Sequence, residues 1–197
     1  MTPTSGLLAN YFETLTDLAG RVEATRDDKS TLSLSSAVDW AVERATTLGD
    51  GKKIIFIGNG GSAAIASHMA IDFSENGGFP ALAFNDGASL TCLSNDLGYE
   101  HVFEHHIRAL GQDGDILVAI SSSGKSDSIL NAVHAAREKS IAVLTLSGFD
   151  AGNPLRSLGN TNLYVPNDEY GFVEITHLTL CHSILDLAVG WQPESKK

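Results

Sequence analysis

Cysteine is almost absent: Cys92 and Cys181 are the only two in 197 residues, far apart and outside any CxxC pair. They can form neither a disulfide framework nor a thiolate zinc motif, and a reducing compartment is the simplest home for them. Basic side chains are also scarce, 13 against 24 acidic ones, which sets the formal net charge at −11. Such a chain repels phosphate backbones and anionic headgroups, so nucleic acid and membrane surfaces are excluded as general partners. Any bound anion has to be held by a focused site. At 19% charged residues the chain is too poor in charge for a disordered or extended coiled-coil protein. A length near 200 suits one globular domain with a sizeable core. No run of 18 apolar residues is present to span a bilayer, and the opening MTPTSGLLANYF lacks the basic start and apolar run of a secretory signal. The expectation is a soluble, cytoplasmic protein, and the sequence contains no internal repeat or low-complexity segment.

What is present falls into two grammars. Leu7, Leu8, Tyr11, Phe12, Leu15, Leu18 and Val22 recur at helical spacing and predict an amphipathic helix over about Ser5–Arg26. After a polar break at Asp27–Lys29, a second helix is expected over Leu32–Leu48, stopped by Gly49 and Gly51. From Lys52 onward, short apolar runs alternate with helical stretches. The runs Ile54–Ile57, Ala81–Phe84, Ile116–Ile120, Ile141–Leu146 and Leu163–Val165 read as strands buried on both faces. Helices over Ser62–Glu75, Glu100–Leu110 and Ser126–Lys139 supply right-handed crossovers, and a last helix spans Asp168–Val189 before a frayed tail, QPESKK. The expected fold is α/β: a three-layer α/β/α sandwich with a mostly parallel five-stranded sheet plus N-terminal helices.

Ligands of such sheets bind beyond the carboxyl ends of the strands. Two loops there are rich in glycine and hydroxyls. Gly58, Asn59, Gly60, Gly61 and Ser62 follow the first run, and Ser121, Ser122, Ser123, Gly124, Lys125 and Ser126 follow the third; each opens a helix. Glycine lets the backbone approach a ligand, and a helix N-terminus offers free amides with positive partial charge, so a phosphate is the natural guest. Neither loop is a nucleotide motif. Ala63 stands where GxGxxG needs its third glycine, and Ala119 where a P-loop needs its first. A small phosphorylated molecule held by neutral donors is what remains.

Two helices carry the titratable groups. His68 and Asp72 are four residues apart on one face, while Glu174, His177 and His182 share the last helix. At about 100° per residue, Glu174 and His182 lie about 80° apart and His177 about 60° to the other side of Glu174. A pair from each helix, converging, would suit Zn²⁺ or a metal-free general acid and base. Equally, His68 and Asp72 fit an ordinary helix pair, with His177 or His182 a satisfied core residue. His101, His105 and His106 read as partly exposed helix residues, as does His134, and Asn95-Asp96 before Gly98 reads as a turn or a binder of sugar hydroxyls.

Taken in order, GNGGS, HMAIDF, SNDLGYEHVF, ISSSGKS and VEITHLTLCHSIL resemble the sugar isomerase (SIS) domain family, in particular its sedoheptulose 7-phosphate isomerase branch. The resemblance covers most of the chain. It implies a single SIS domain over 1–197, with residues 1–50 engaged in oligomerisation, and a homotetramer with active sites at subunit interfaces. It further implies interconversion of sedoheptulose 7-phosphate and D-glycero-D-manno-heptose 7-phosphate for heptose-containing glycans such as lipopolysaccharide or capsule, and one Zn²⁺ per site. By position, Ser62, Ser121, Ser123 and Ser126 would bind the phosphate with Ser122 beside them, Asn59, Gly60 and Gly61 at the turn, and Asn95 and Asp96 near the sugar. Asp72 would stand at the base position, Glu174 beside it in catalysis and substrate binding, and His182 at the catalytic histidine. His68, Asp72, Glu174 and His182 would hold the zinc. Three departures from the family pattern stand out: Ile71-Asp72 for a pair of glutamates, Glu174 for a glutamine, and Lys125 for a frequent asparagine. Two other readings follow from the same resemblance: a non-catalytic phosphosugar-binding or adaptor protein, or an isomerase of another ketose phosphate.

Overall fold

The computed structural model describes residues 4–193; the end of the tail expected to fray, residues 194–197, lies outside them. Seven helices and seven strands alternate along the described chain: α1 (Thr4–Gly20), β1 (Glu23–Arg26), β2 (Thr31–Leu32), α2 (Leu34–Thr46), β3 (Ile54–Gly58), α3 (Gly61–Glu75), β4 (Ala81–Ala83), α4 (Gly87–Leu97), α5 (Val102–Leu110), β5 (Ile116–Ser121), α6 (Asp127–Glu138), β6 (Ala142–Ser147), β7 (Thr161–Tyr164) and α7 (Tyr170–Ala188). The sheet order is β2-β1-β7-β6-β5-β3-β4. Its five parallel strands are the five expected apolar runs, and β1 and β2 add an antiparallel edge, making seven.

Alternation along the central strands builds two cores. Ile54 and Phe56 of β3 and Ile116, Val118 and Ile120 of β5 face α1, α2, α3 and α7. Ile55 and Ile57 of β3 and Leu117 and Ala119 of β5 face α5 and α6. With strands buried on both sides, each buried aliphatic side chain contributes roughly 1.5–3 kcal/mol. That explains why the strand runs are continuous rather than alternating.

The first helix ends at Gly20 rather than continuing to Arg26. Val22 is buried in the connection that follows the helix and Ala24 in the sheet, where Ala24 pairs with Leu163 and the backbone of 23–26 finds its partners in β7. The second difference is α4. The segment expected to turn at Asn95-Asp96 is a helix, started by Asp86, whose carboxylate accepts the Ser89 amide at 2.9 Å, and ended by Gly98 at φ 92.

Sheet order places the site. From β3 the chain steps outward to β4, then crosses back to add β5 on the other side of β3. The carboxyl ends of β3 and β5 thus flank a topological switch point, where a crevice opens between diverging loops.

Candidate active site

Both glycine- and serine-rich loops meet in that crevice. A cavity of about 260 Å³ is lined by Asn59, Gly60, Gly61 and Ser62 from the β3 loop and by Ser121, Ser122, Ser123 and Ser126 from the β5 loop. Ile120, Tyr170 and Glu174 complete it. Gly60 takes φ 57, ψ −123, a conformation costly for any side chain, and it starts α3 without a side-chain cap. The first backbone bonds of α3 run from Ala63 and Ala64 to the Gly60 carbonyl, so the Gly61 and Ser62 amides face the cavity as orphan donors. Ser126 begins α6 with its hydroxyl free of any cap bond, and the buried Ser122 hydroxyl has no partner among the described residues. Gly124, at φ 61, turns the loop, and a side chain there would collide with Asn153.

No cation lines this cavity. Lys125, the one basic residue of either loop, points away and pairs with Asp150 at 2.9 Å, which holds the Asp150 carboxyl below its usual range together with the Gly152 amide. The charge that does line it is negative: the Glu174 carboxylate lies against Gly61, where a side chain would collide with it. Asn59 has a structural part. Its carbonyl accepts the Tyr99 hydroxyl at 2.6 Å and its amide donates to Ser128 at 3.0 Å, so it ties the β3 loop to the 3-10 turn at Tyr99–His101 and to α6.

A second cluster lies further along the same two helices. His68 and Asp72 of α3 meet His182 of α7: the two Nε2 atoms are 3.3 Å apart, His68 Nε2 is 3.4 Å from Asp72 Oδ2, and His182 Nδ1 is 3.8 Å from the same oxygen. These three residues converge closely enough to hold a metal ion. Donors on a tetrahedral zinc at 2.0–2.1 Å stand roughly 3.4 Å from one another, so three protein ligands with one open position fit this set. Glu174 lies outside it, at the loop cavity; eight residues of helix separate it from His182, a rise of about 12 Å. Asn95 and Asp96 are not brought to the cavity of this chain. They sit exposed at the end of α4, where Asn95 donates to Asp96 at 2.8 Å.

His177 is the core histidine. It is fully buried, donates from Nε2 to the Ser147 carbonyl at 3.1 Å, and leaves Nδ1 without a partner among the described residues. Burial pushes its pKa down to about 4. A depressed imidazole pKa means that the unfolded chain binds a proton which the native state refuses, over the window from about 6.5 down to about 4. Stability is therefore expected to fall as pH drops through that window, by up to about 3 kcal/mol at its lower end. His177→Leu should flatten this part of the profile in urea melts between pH 7 and 4.

Of the residues that sequence reasoning missed, Tyr170 follows β7 and so lies at a strand's carboxyl end, a signal that could have found it. Tyr99 acts through Asn59 and carries no such signal.

With this geometry in place, the likeness to known proteins is informative. Residues 10–148 match the SIS domain family. The chain is 37% identical over 167 residues to the phosphoheptose isomerase of Bradyrhizobium sp. strain BTAi1, covering 82% of this chain and 84% of that one. It is 35% identical over 170 residues to that of Proteus mirabilis, covering 82% and 85%. Among solved structures, the phosphoheptose isomerase of Neisseria gonorrhoeae superposes with a TM-score of 0.80 at 31% identity, covering 94% of this chain and 99% of that one. The chain belongs to the SIS domain family.

Proposed function

We propose that this chain is the aldose–ketose isomerase its relatives are named for, converting D-sedoheptulose 7-phosphate to D-glycero-D-manno-heptose 7-phosphate through an enediol for a heptose-containing glycan. The observation that carries this is a spacing. α3 and α7 lie side by side, each with one residue at the phosphate cavity and another in the acid–base cluster: Ser62 and His68 on α3, Glu174 and His182 on α7. The rises are about 9 and 12 Å. From phosphorus to C1, a seven-carbon sugar phosphate has eight bonds of roughly 1.2 Å projected length, or about 10 Å. A phosphate seated on the serines and helix amides thus brings C1 and C2 to His182 and Asp72. Contact among His68, Asp72 and His182 favours this over a non-catalytic binding role.

The chain's own groups divide the chemistry. Phosphate contacts supply binding energy remote from the reacting carbons and fix the register of the sugar. Asp72 takes the proton from C1 and returns it to C2, while His182 moves the hydroxyl proton between O1 and O2. In this reading Glu174, whose carboxylate lies against Gly61 at the loop cavity, serves the phosphate end, and the base role falls to Asp72. His68, Asp72 and His182 would hold Zn²⁺; when bound, it polarises a sugar oxygen as a Lewis acid. Removal of zinc by a chelator is expected to lower turnover, with recovery on re-addition. The half-exposed stripe of Leu7, Leu8 and Phe12 on α1, together with the exposed Ile71 of α3 and Ile175 of α7, supports a homotetramer that buries apolar surface of this kind. No helix among the described residues is long and apolar enough to cross a membrane.

A panel of ketose phosphates tests the spacing. The seven-carbon substrate should exceed fructose 6-phosphate at least tenfold in kcat/KM, since a chain one carbon shorter leaves C1 short of Asp72; equal rates would discard the reading. Glu174→Gln should lower KM by roughly tenfold with turnover kept, because it removes a like charge from beside the phosphate. Loss of turnover in that variant would return Glu174 to the base role.

A further inference from the structure

A second polar cavity opens at the amino ends of the strands, on the opposite edge of the sheet from the phosphate loops. Its volume is about 270 Å³, near the lower end of the range for small-metabolite pockets, roughly 300–1,000 Å³. Trp40 and Arg44 of α2, Arg137 near the end of α6, Ser140 at the turn into β6 and Asn160 before β7 line it. No carboxylate is among the lining residues, in a chain whose net charge is −11.

Its donors are held in place with capacity left over. Asn160 accepts the Val143 amide through Oδ1 at 2.8 Å, which fixes the carboxamide and leaves Nδ2 without a partner among the described residues. Ser140 is held at φ 59 by a bond from its amide to the Arg137 carbonyl at 3.1 Å, and its hydroxyl is free among the same residues. Arg137 is partly engaged, donating to the Leu158 carbonyl at 2.6 Å and meeting Asp27 at 3.4 Å. Arg44 forms no ion pair or hydrogen bond among the described residues; its guanidinium lies over the Trp40 ring, 5.7 Å from the centroid. A guanidinium lying over an aromatic ring is pre-oriented and weakly hydrated, so an oxyanion gains charge-assisted bonds at little ordering cost.

The geometry points to a second, non-catalytic site for a small phosphorylated metabolite, its phosphate bound by Arg44, Ser140 and Asn160 and its body beside Trp40. A cavity with two guanidiniums, a free hydroxyl, a free carboxamide N–H and no carboxylate selects an anionic oxygen acceptor, and this one is separate from the catalytic crevice.

Trp40 is a built-in reporter, because Trp191 is the only other tryptophan. In a Trp191→Phe protein, Trp40 fluorescence is followed while inorganic phosphate, glucose 6-phosphate or succinate is added at constant ionic strength. Saturable changes with both phosphates are expected, weakened at least tenfold by Arg44→Ala and by Arg44→Gln, with isomerase turnover in the absence of added ligand unchanged. Equilibrium dialysis with labelled phosphate should give two sites per chain, and one in either Arg44 variant. An absent or non-saturating response, or a response and stoichiometry indifferent to Arg44, would overturn the site. Saturation by succinate at least as tight as by the phosphates would overturn the ligand class.

Discussion

Asp72→Asn lowers turnover by two to four orders of magnitude while the melting temperature stays within a few degrees of the parent, and His182→Ala does the same. Both effects follow from position. Asp72 Oδ2 is held between two imidazoles, 3.4 Å from His68 Nε2 and 3.8 Å from His182 Nδ1. Its other oxygen is 3.4 Å from the Asn76 amide. An amide in place of that carboxylate keeps the shape but cannot accept a proton, and general-base catalysis is worth typically 10²–10⁴. KM should change little, because Ser62 at the phosphate end lies ten residues, about 15 Å, from Asp72 along α3. A rise in KM with turnover preserved would mean that the cluster binds rather than reacts. Steady-state kinetics on each variant, paired with thermal melts, separates these outcomes.

Gly58→Ala is expected to cripple the enzyme from the other end. A side chain at Gly58 would run into the carbonyl group of Ser62, which belongs to the first turn of α3. Backbone cannot yield as a flexible side chain does, so α3 must move off the sheet. Overpacking of this kind costs about 1–3 kcal/mol. The same shift displaces the Gly61 and Ser62 amides from the phosphate, and a misplacement of about 1 Å can cost a hundredfold in rate. A lowered melting temperature is expected together with at least a tenfold rise in KM. A variant with normal KM would show that the β3 loop does not seat the phosphate.

The parts of this design legible in the sequence were those that rest on strong local signals. Five parallel strands were readable because β3 and β5 bury every residue, leaving continuous apolar runs. The phosphate loops were readable because glycine and serine cluster where a strand gives way to a helix. β1 was not readable: EATR buries only Ala24, and its extended backbone is imposed by pairing with β7, more than a hundred residues away. In α4 no residue is buried, so there is no apolar stripe to mark the helix that Asp86 caps, and Asn95-Asp96 before Gly98 reads as a turn. Convergence of His68, Asp72 and His182 followed from spacing once two helices were assumed to pack. Spacing also brings Glu174 near that point, since 80° around the axis is close; its carboxylate instead lies against Gly61 and outside the close group of His68, Asp72 and His182. Between His177 and His182, only burial decides which is core and which is chemistry.

Isotope transfer tests the central claim, that the crevice and the cluster act as one isomerase site. Sedoheptulose 7-phosphate incubated with the protein in deuterium oxide should give an aldose phosphate carrying deuterium at C2, with exchange at C1 of the recovered ketose. Both signals should disappear in Asp72→Asn. Bound substrate with neither product nor exchange, or exchange that persists undiminished in Asp72→Asn, would contradict the account.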